Sequence, residues 1–378
     1  MGSYGYDKLF LERNNIKCIE LKSPDDNARL LVVPAYQGRV MTSSAGGEQG
    51  KSFGWINYKF IEAGRKDPQF NVYGGEERFW LGPEGGPFSV YFRSGADQVY
   101  ENWIVPPVID SEGFDIVSSS NESVSFSRNA ALVNASGTEF LIGIERTVSL
   151  LSKDVVEQSL VIRIPDQVKS VAYQTENIIT NSGNSRWTRD GGLLSIWLLS
   201  MFNPSPETTV FIPYKSEAEG VIVNDEYFGK VPSDRLVVDS STVYFKIDGK
   251  FRSKIGIPPA RAKEILGSYD SGDKVLTLLW CSLPEEPKPY VNSKWGTQDD
   301  PFAGDAINSY NDGPVEDGSI MGPFYEIETS SPAAELNPGE SMKHIQRVIH
   351  LQGEETDLGE IVHELFGLNL QDISRKFK

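Results

Sequence analysis

Alternation of apolar and polar residues with a period of two recurs along the sequence and favours sheet-rich folds. Residues 142–150 place apolar side chains and Arg146 at every second position, with polar residues between most of them. Val124 and Phe126 alternate with three serines in the same way. Successive side chains of a strand point to opposite faces of its sheet, so this spacing is typical of half-buried antiparallel strands. The sequence therefore predicts a strand meander rather than βαβ units.

Two local signals refine the predicted elements. The strong turn signal Asp248-Gly249 separates the apolar runs 244–247 and 251–257, which predicts a hairpin. Helical periodicity is confined to residues 259–266 and to a final segment. That final segment spaces its apolar residues three and four apart: Leu358, Ile361, Val362, Leu365 and Phe366.

The domain organisation follows from the absence of a linker in the sequence. The 35 glycines and 22 prolines are spread along the chain, and no low-complexity stretch interrupts it. We therefore expect one all-β domain over residues 1–378. It should be a large antiparallel sandwich with a few short helices, including a C-terminal one.

The charge balance narrows the range of partners. Acidic residues number 53 against 36 basic ones, a formal net charge of −17, and such a surface repels phosphate backbones and anionic headgroups. No stretch approaches the roughly 20 apolar residues that cross a bilayer. We expect neither a nucleic-acid partner nor a membrane span. The start lacks the features of a secretory signal, so the expected compartment is cytoplasmic, or periplasmic or cell-surface if a leader was removed.

Residues 74–86 combine glycines, a tryptophan, an arginine and carboxylates, a mixture that suits a binding loop. The face of Trp80 could stack on the C–H surface of a sugar, while Arg78 and Glu84 could hydrogen-bond its hydroxyls. The alternative is structural: a turn-rich strand pair with Trp80 in the core and Arg78 paired with a neighbouring glutamate.

A second candidate region covers residues 322–332. In a strand, Glu326 and Glu328 project to one face, and Tyr325 and Ile327 project to the other. Two adjacent carboxylates tend to raise the pKa of one of them, which suits proton transfer. The alternative is a solvated acidic strand face.

The longest stretch without clear alternation is residues 284–321. A loop of that length is usually functional or disordered, and its aromatic residues, among them Trp295 and Tyr310, argue against disorder. Trp295, Tyr310 and Asp312 are candidate binding residues. We expect no cofactor, and no histidine–cysteine cluster predicts a metal site. Four aspartates could still supply oxygen ligands to a calcium ion, although a solvated acidic loop is the commoner arrangement: Asp299, Asp300, Asp305 and Asp312.

Several of these segments resemble the galactose-mutarotase-like superfamily. Residues 327–329, Ile-Glu-Thr, followed by a proline and by Leu-Asn-Pro-Gly-Glu at 336–340, resemble the end of the aldose 1-epimerases, where a Leu-Glu-Thr element carries the catalytic glutamate. The Gly-Arg pair at 38–39 and the Gly-Gly to Pro-Glu segment at 74–84 are similar to other elements of the superfamily. Asn181 lies where mutarotases have a Thr-Asn element.

A closer resemblance is to an uncharacterised bacterial group. That group shares Gln-Gly-Arg-Val-Met-Thr-Ser, Ser-Tyr-Asn-Asp-Gly-Pro and Phe-Tyr-Glu-x-Glu, present here at residues 37–43, 309–314 and 324–328. The resemblance covers most of the chain in order. It implies a mutarotase-like β-supersandwich with Glu328 as the catalytic base.

The histidines depart from the mutarotase pattern. Mutarotases use a mid-chain histidine to protonate the ring oxygen, with a second histidine nearby, whereas His344, His350 and His363 all lie late in this chain. We therefore assign no histidine to catalysis. In an enzyme, the acid would have to be a group with a raised pKa: Glu326, Glu84, Tyr310 or an aspartate of residues 284–321.

The leading functional hypothesis is a protein that binds a small carbohydrate and acts on an aldose or sugar derivative through its glutamates. Glu328 and Glu326 would be catalytic. The binding residues would be Arg78, Trp80, Glu84, Trp295, Tyr310 and Asp312. The alternatives are a non-catalytic carbohydrate-binding module, a glycosidase or lyase that uses paired carboxylates, and a scaffolding protein of the same fold.

Overall fold

The computed structural model describes residues 2–378, and in that range the chain forms eighteen strands and five α-helices. The strands are β1 (Ile19–Lys22), β2 (Arg29–Val33), β3 (Arg39–Ser44), β4 (Arg78–Gly82), β5 (Asp115–Ser119), β6 (Ser123–Val133), β7 (Glu139–Leu151), β8 (Lys169–Asn181), β9 (Ser195–Phe202), β10 (Thr208–Pro213), β11 (Leu236–Val238), β12 (Thr242–Lys246), β13 (Ser253–Ile257), β14 (Ile265–Asp270), β15 (Val275–Cys281), β16 (Ile307–Asn311), β17 (Tyr325–Ser330) and β18 (Ser341–Gln352). The helices are α1 (Tyr4–Arg13), α2 (Tyr58–Glu62), α3 (Lys153–Leu160), α4 (Glu355–Phe366) and α5 (Leu370–Arg375).

The strands form three sheets, and all strand pairings within them are antiparallel. The largest sheet has ten strands in the order β11-β12-β10-β14-β15-β18-β8-β7-β6-β5. A five-stranded sheet has the order β13-β16-β17-β9-β4, and β1, β2 and β3 form the third sheet. The predicted all-β class with large antiparallel sheets and a few short helices is confirmed.

The main core joins the ten-stranded and five-stranded sheets. Phe79, Leu198 and Ile327 project from one face of the five-stranded sheet, and they belong to the same apolar cluster as Val148 and Leu279 of the ten-stranded sheet. Burial of this apolar surface is the main driving force for packing the sheets together. Because side chains alternate along a strand, the intervening residues of the five-stranded sheet point to its other face.

The predicted C-terminal helix is confirmed as α4. Its buried residues Leu358, Ile361 and Val362 pack in a second apolar cluster with Leu276 and Leu278 of β15. The helix therefore covers the face of the ten-stranded sheet that points away from the main core. Within residues 2–378, no helix combines the length and the apolarity needed to cross a bilayer.

The helix predicted for residues 259–266 is wrong. Residues 259–261 form a turn, and Ala262 makes an isolated bridge with Tyr214. Ile265 and Leu266 begin β14 and pair with Trp280 and Leu279 of β15. The sheet offers these residues both ladder hydrogen bonds and burial, and such tertiary context overrides a weak local helical preference.

The hairpin predicted at Asp248-Gly249 is also wrong. Strand β12 pairs with β10 and β11 in the ten-stranded sheet, whereas β13 pairs with β16 in the five-stranded sheet. The carboxylate of Asp248 lies 2.7 Å from the Arg235 guanidinium, and the Gly249 N–H donates to the Asn311 side chain over 2.9 Å. The turn therefore carries the chain from one sheet to the other.

The stretch 284–321 contains a strand that the alternation did not reveal. Residues 307–311 form β16, which pairs with β13 on one side and β17 on the other. All five of its residues are buried, although three of them are Asn or Ser. A strand buried on both faces and rich in polar residues shows no period-two contrast.

Candidate functional site

Arg78 and Glu328 lie in one row across the five-stranded sheet. Arg78 of β4 is paired with Leu199 of β9, and Leu199 is paired in turn with Glu328 of β17. Residues directly opposite each other in an antiparallel pair project to the same face. The register therefore places Arg78 and Glu328 on the face opposite Ile327.

A neighbouring row adds Glu326 to the same face. Glu326 is paired with Tyr310 of β16, and Tyr310 is paired with Lys254 of β13. Glu326 and Glu328 are two positions apart in β17, so the same-face prediction for this pair is confirmed. We refer to this surface, defined by Arg78, Lys254, Tyr310, Glu326 and Glu328, as the carboxylate face.

Glu328 is fully buried and is held at one oxygen only. Its Oε2 accepts hydrogen bonds from the Lys254 ammonium over 2.8 Å and from the Trp197 indole N–H over 2.9 Å. Its Oε1 has no hydrogen-bond partner among residues 2–378. The carboxylate thus has a compensated charge and one oxygen free to accept a further hydrogen bond.

Lys254 is the cation of this arrangement. Its Nζ lies 4.9 Å from the Trp197 ring centroid and 5.5 Å from that of Tyr227. Burial lowers the pKa of Lys254, but the negative charges of Glu328 and Glu84 outweigh this effect and leave the pKa raised. The ammonium therefore stays charged and fixes the orientation of the Glu328 carboxylate.

Arg78 and Glu326 form a second buried ion pair. The Arg78 Nη2 donates to the Glu326 Oε1 over 2.9 Å, and each side chain is only 6% exposed. The guanidinium carbon lies 4.2 Å from the centroid of Trp80 and 5.5 Å from that of Phe70. Within the described chain, the Nε and Nη1 of Arg78 have no hydrogen-bond partner. Two nitrogen atoms of the guanidinium therefore remain free to donate hydrogen bonds beside the carboxylates.

The pKa of Glu326 is raised. Burial is the main cause, and the charges of Glu328 and Asp312 act in the same direction, while Arg78 and Lys254 oppose them. Two buried carboxylates on adjacent same-face positions disfavour each other's ionisation. Glu326 is therefore the carboxyl group of β17 whose protonated form is favoured.

The structure does not support the stacking role predicted for Trp80. Its side chain is 2% exposed, and the Arg78 guanidinium covers its ring. It packs edge-on against Trp197 and Phe70, at centroid distances of 5.5 Å in both cases. Trp80 is therefore buried, and its ring supports the Arg78 guanidinium.

Glu84 follows β4 and is half-buried, so it is more accessible than either glutamate of β17. Burial raises the pKa of Glu84 to about 7; the Glu328 charge acts in the same direction, and Lys254, Trp295 and Arg78 act in the opposite one. Glu84 lies two positions beyond the last residue of β4, the strand that carries Arg78, so it lies at the end of the sheet edge next to the carboxylate face. A carboxyl group with a pKa near neutrality can exist as an acid at physiological pH.

Trp295 supplies the accessible aromatic surface of this region. Its side chain is half-buried, and its ring lies 5.0 Å from Phe92 and 6.1 Å from Trp103. The indole N–H of Trp103 is buried and has no hydrogen-bond partner in the part of the chain that the structure describes. Trp295 and Trp103 thus form an aromatic wall next to Glu84.

Tyr310 and Asp312 are bonded to each other at the other end of the carboxylate face. The Tyr310 hydroxyl donates to the Asp312 Oδ1 over 2.9 Å, and the Asp312 Oδ2 accepts the Gly322 N–H over 2.8 Å. The Arg252 Nε donates to the Tyr310 oxygen over 3.3 Å. The eight residues proposed from the sequence therefore lie at or around one face; Trp80 projects to the same side as Arg78 but is covered by it.

The four aspartates considered for calcium do not converge. Asp305 accepts a hydrogen bond from the Asn224 amide over 2.7 Å and another from the Tyr227 hydroxyl. Asp300 accepts the Phe302 N–H, and Asp312 is bonded to Tyr310 and Gly322. Among residues 2–378, no group of three or more His, Cys, Asp or Glu side chains is arranged to hold a metal ion.

The sequence matches the family described as "Family of unknown function (DUF6786)" over residues 2–377. The chain belongs to this family. No curated protein matches the sequence.

Three solved structures illustrate the fold of this DUF6786 chain. They are a candidate aldose 1-epimerase from Escherichia coli K12 (11% identity, TM-score 0.51, 89% of this chain and 99% of that one), the Slr1438 protein from Synechocystis sp. PCC 6803 (12%, 0.53, 90% and 96%), and a galactose mutarotase related enzyme from Lactobacillus acidophilus (8%, 0.50, 89% and 99%). At these identities the likeness shows the fold alone. The predicted galactose-mutarotase-like fold is therefore confirmed.

Several residues that contact the site residues were missed from the sequence, among them Trp103, Lys254, Trp197 and Arg252. Lys254 lies in the apolar run 251–257, and a lysine inside a buried strand requires an acidic partner, so its position was a usable signal. Trp197 lies in a strand that is buried along its whole length and carries no polar contrast. Arg252 gave no local signal, because its bonding partner Tyr310 is 58 positions away.

The histidines of β18 do not face the carboxylate face. His344 and His350 share one side of the strand as predicted, and both are buried. The His344 Nε2 is bonded to Thr329, and His350 is bonded to Glu76 and Thr277, each over 2.9 Å. Thr329 alternates with Glu328 in β17, so these histidines lie on the core side of the sheet.

A separate cavity of about 70 Å³ lies on that other side. It is lined by Phe53, Phe202, Tyr325, His350 and Ser268, among others. The polar groups at its inner end bond to one another, as in the 2.8 Å contact between the Ser268 and Tyr325 hydroxyls. The Glu76 Oε2, next to cavity-lining His350, is buried and also has no hydrogen-bond partner among residues 2–378.

Proposed function

We propose that this protein binds a saccharide at the carboxylate face and interconverts its anomers by glutamate acid–base chemistry. The observation that carries the proposal is that two carboxyl groups in different environments, Glu328 and Glu84, lie near each other. Glu328 is charge-compensated and has a free oxygen, and the nearby half-buried Glu84 has a pKa of about 7. One group suits a base and the other an acid at the same pH.

The free hydrogen-bonding groups support a hydroxyl-rich ligand. Buried polar groups are nearly always paired, yet Arg78, Trp103 and Glu328 each keep at least one buried atom without a protein partner. Two of these residues donate and one accepts, and a sugar hydroxyl can do both. Trp295 offers an aromatic surface for the C–H face of the ring.

The proposed reaction conserves atoms and electrons. The Glu328 Oε1 takes the proton of the anomeric hydroxyl while protonated Glu84 gives its proton to the ring oxygen, and the bond between the anomeric carbon and the ring oxygen breaks. The open-chain aldehyde rotates about its first carbon–carbon bond. The ring then closes as both protons return, which yields the other anomer. Glu84 is a better placed acid than Glu326, because Glu326 is engaged by Arg78.

Polarimetry on freshly dissolved aldoses tests the proposal. Wild-type protein should accelerate the approach to anomeric equilibrium for at least one aldose of a panel. Glu328→Gln should lower kcat by about 10²–10⁴-fold, the usual cost of removing a positioned base. The matched control is Glu364→Gln on the exposed side of α4, which should retain wild-type rates.

The outcomes separate this proposal from a binding module. A wild-type protein that binds sugars without accelerating their anomerisation would be a carbohydrate-binding module, and the catalytic proposal would fail. The position of both β18 histidines on the core side is the observation that favours that second candidate. A protein that binds no saccharide would contradict both functions.

A further inference from the structure

Arg252 lies at the open end of the carboxylate face. It precedes β13 by one residue and has the same parity as Lys254, so it lies about 7 Å further along the same side of the strand. Its Nε donates to the hydroxyl of Tyr310, itself a residue of that face. The arginine therefore belongs to the same surface as the carboxylates. Its separation from Lys254 is comparable to the width of a sugar ring.

The guanidinium of Arg252 is held in place but forms no direct ion pair. Its central carbon lies 3.9 Å from the ring centroid of Phe228, a side chain that is 46% exposed. Across residues 2–378, it forms no ion pair with a carboxylate. Asp312 directly follows β16 and its charge interacts with that of Arg252, but its oxygens accept hydrogen bonds from Tyr310 and Gly322 and none from Arg252.

We propose that the saccharide carries a carboxylate, as a uronic acid does, and that the Nη1 and Nη2 of Arg252 bind it. This inference rests on the proposed saccharide site. The reducing end of the sugar would lie against Glu328 and Glu84, and its carboxylate would lie against Arg252. A guanidinium presents two parallel N–H donors to the two oxygens of a carboxylate.

The fixed plane of the arginine strengthens this assignment. An arginine on a free surface loses side-chain entropy when it binds, whereas Arg252 is already ordered by Tyr310 and Phe228. Because the bond to Tyr310 uses Nε, the Nη1 and Nη2 of Arg252 stay available to a ligand. Preorganised donors that no carboxylate contacts directly are what an anionic ligand group needs.

The charge of the surroundings favours a carboxylate over a phosphate. A phosphate monoester carries about −1.5 to −2 charges at neutral pH. One arginine balances a single charge, and Asp312 lies next to it in a protein of net charge −17. A monoanion is therefore better compensated here than a dianion.

Isothermal titration with matched sugars tests the inference. Wild-type protein should bind glucuronate or galacturonate roughly 10- to 100-fold more tightly than glucose or galactose, the worth of a charge-assisted pair. In Arg252→Gln, the ratio of uronate to aldose affinity should fall to about one. The control is Arg347→Gln, which removes an arginine that also covers an aromatic ring, Trp280 at 4.6 Å, on the ten-stranded sheet. This control should keep the wild-type ratio.

Three results would overturn the inference while leaving the saccharide site intact. They are equal affinity of the wild type for uronates and aldoses, an unchanged ratio in Arg252→Gln, and tighter binding of hexose 6-phosphates than of uronates. Failure of every sugar to bind would instead contradict the proposed function. Thermal unfolding of Arg252→Gln, compared with Arg347→Gln, shows that a lost preference does not come from a lost fold.

Discussion

The Lys254–Glu328 pair links the stability of the protein to its proposed chemistry. The Lys254 ammonium compensates the charge of Glu328 at Oε2, which also accepts the Trp197 indole N–H. The Glu328 Oε1 stays free. Removing one member of a buried ion pair leaves an uncompensated charge, which costs more than the intact pair contributes. The two residues should therefore behave as a unit.

A double-mutant cycle measures this coupling. Lys254→Met should destabilise the protein by about 3–5 kcal/mol at neutral pH, because Glu328 is left buried without its cation. Lys254→Met with Glu328→Gln should recover most of that loss. Urea denaturation gives the free energies of unfolding. A double variant no more stable than Lys254→Met would show that the pair is not coupled.

The proposed acid gives the rate a defined pH dependence. Glu84 must be protonated to act, and its pKa is raised to about 7, so kcat should fall as pH rises through that value. The measurement is kcat between pH 5.5 and pH 9 for wild type and for the surface control Glu364→Gln. A rate that stays constant or increases above pH 7 would remove Glu84 from the acid role.

Among the elements, α4 shows how the final helix stabilises the ten-stranded sheet. Ile361 is 1% exposed and packs in the cluster formed with β15. Truncation of a buried isoleucine removes apolar burial and leaves a cavity, so Ile361→Ala should cost about 2–5 kcal/mol. The exposed neighbour Glu364→Ala should change the free energy of unfolding by less than about 0.5 kcal/mol. Equal stabilities for the two variants would mean that α4 does not contribute through this contact.

Elements with one buried and one solvated face could be predicted from the sequence. Strands β6 and β7 and helix α4 show this contrast, and the structure has all three. Strands β14 and β16 are buried on both faces, so their periodicity is weak and the local pattern favours a helix and a loop instead. The turn at Asp248-Gly249 was recognised, but the sheet that each flanking strand joins depends on distant partners.

The same limit applies to the site. Alternation correctly placed Glu326 and Glu328 on one side of β17, because that is a property of neighbouring residues. Their cationic partners come from elsewhere: Arg78 is 248 positions from Glu326, and Lys254 is 74 positions from Glu328. Strand register across the whole five-stranded sheet creates these contacts, and no local pattern encodes it.

Buried His344 of β18 makes the stability of the whole molecule depend on pH. Burial lowers the pKa of His344 from 6.5 to about 3, so the unfolded chain binds a proton that the folded chain does not. Stability should therefore fall as pH decreases below 6.5. Between pH 6.5 and pH 5, wild type should lose about 2 kcal/mol more than His344→Gln. The control His363→Gln, at an exposed position of α4, should retain the wild-type loss, and equal losses in all three proteins would contradict this origin.

The most direct test of the account observes the seven tryptophan indole N–H groups by NMR during titration with saccharides. Trp197, Trp103 and Trp295 surround the carboxylate face, whereas Trp187 and Trp280 lie elsewhere. Phenylalanine substitutions assign the signals. We expect a bound saccharide to shift the first three and to leave Trp187 and Trp280 unchanged. A saccharide that binds while shifting only Trp187 or Trp280 would contradict the proposed site.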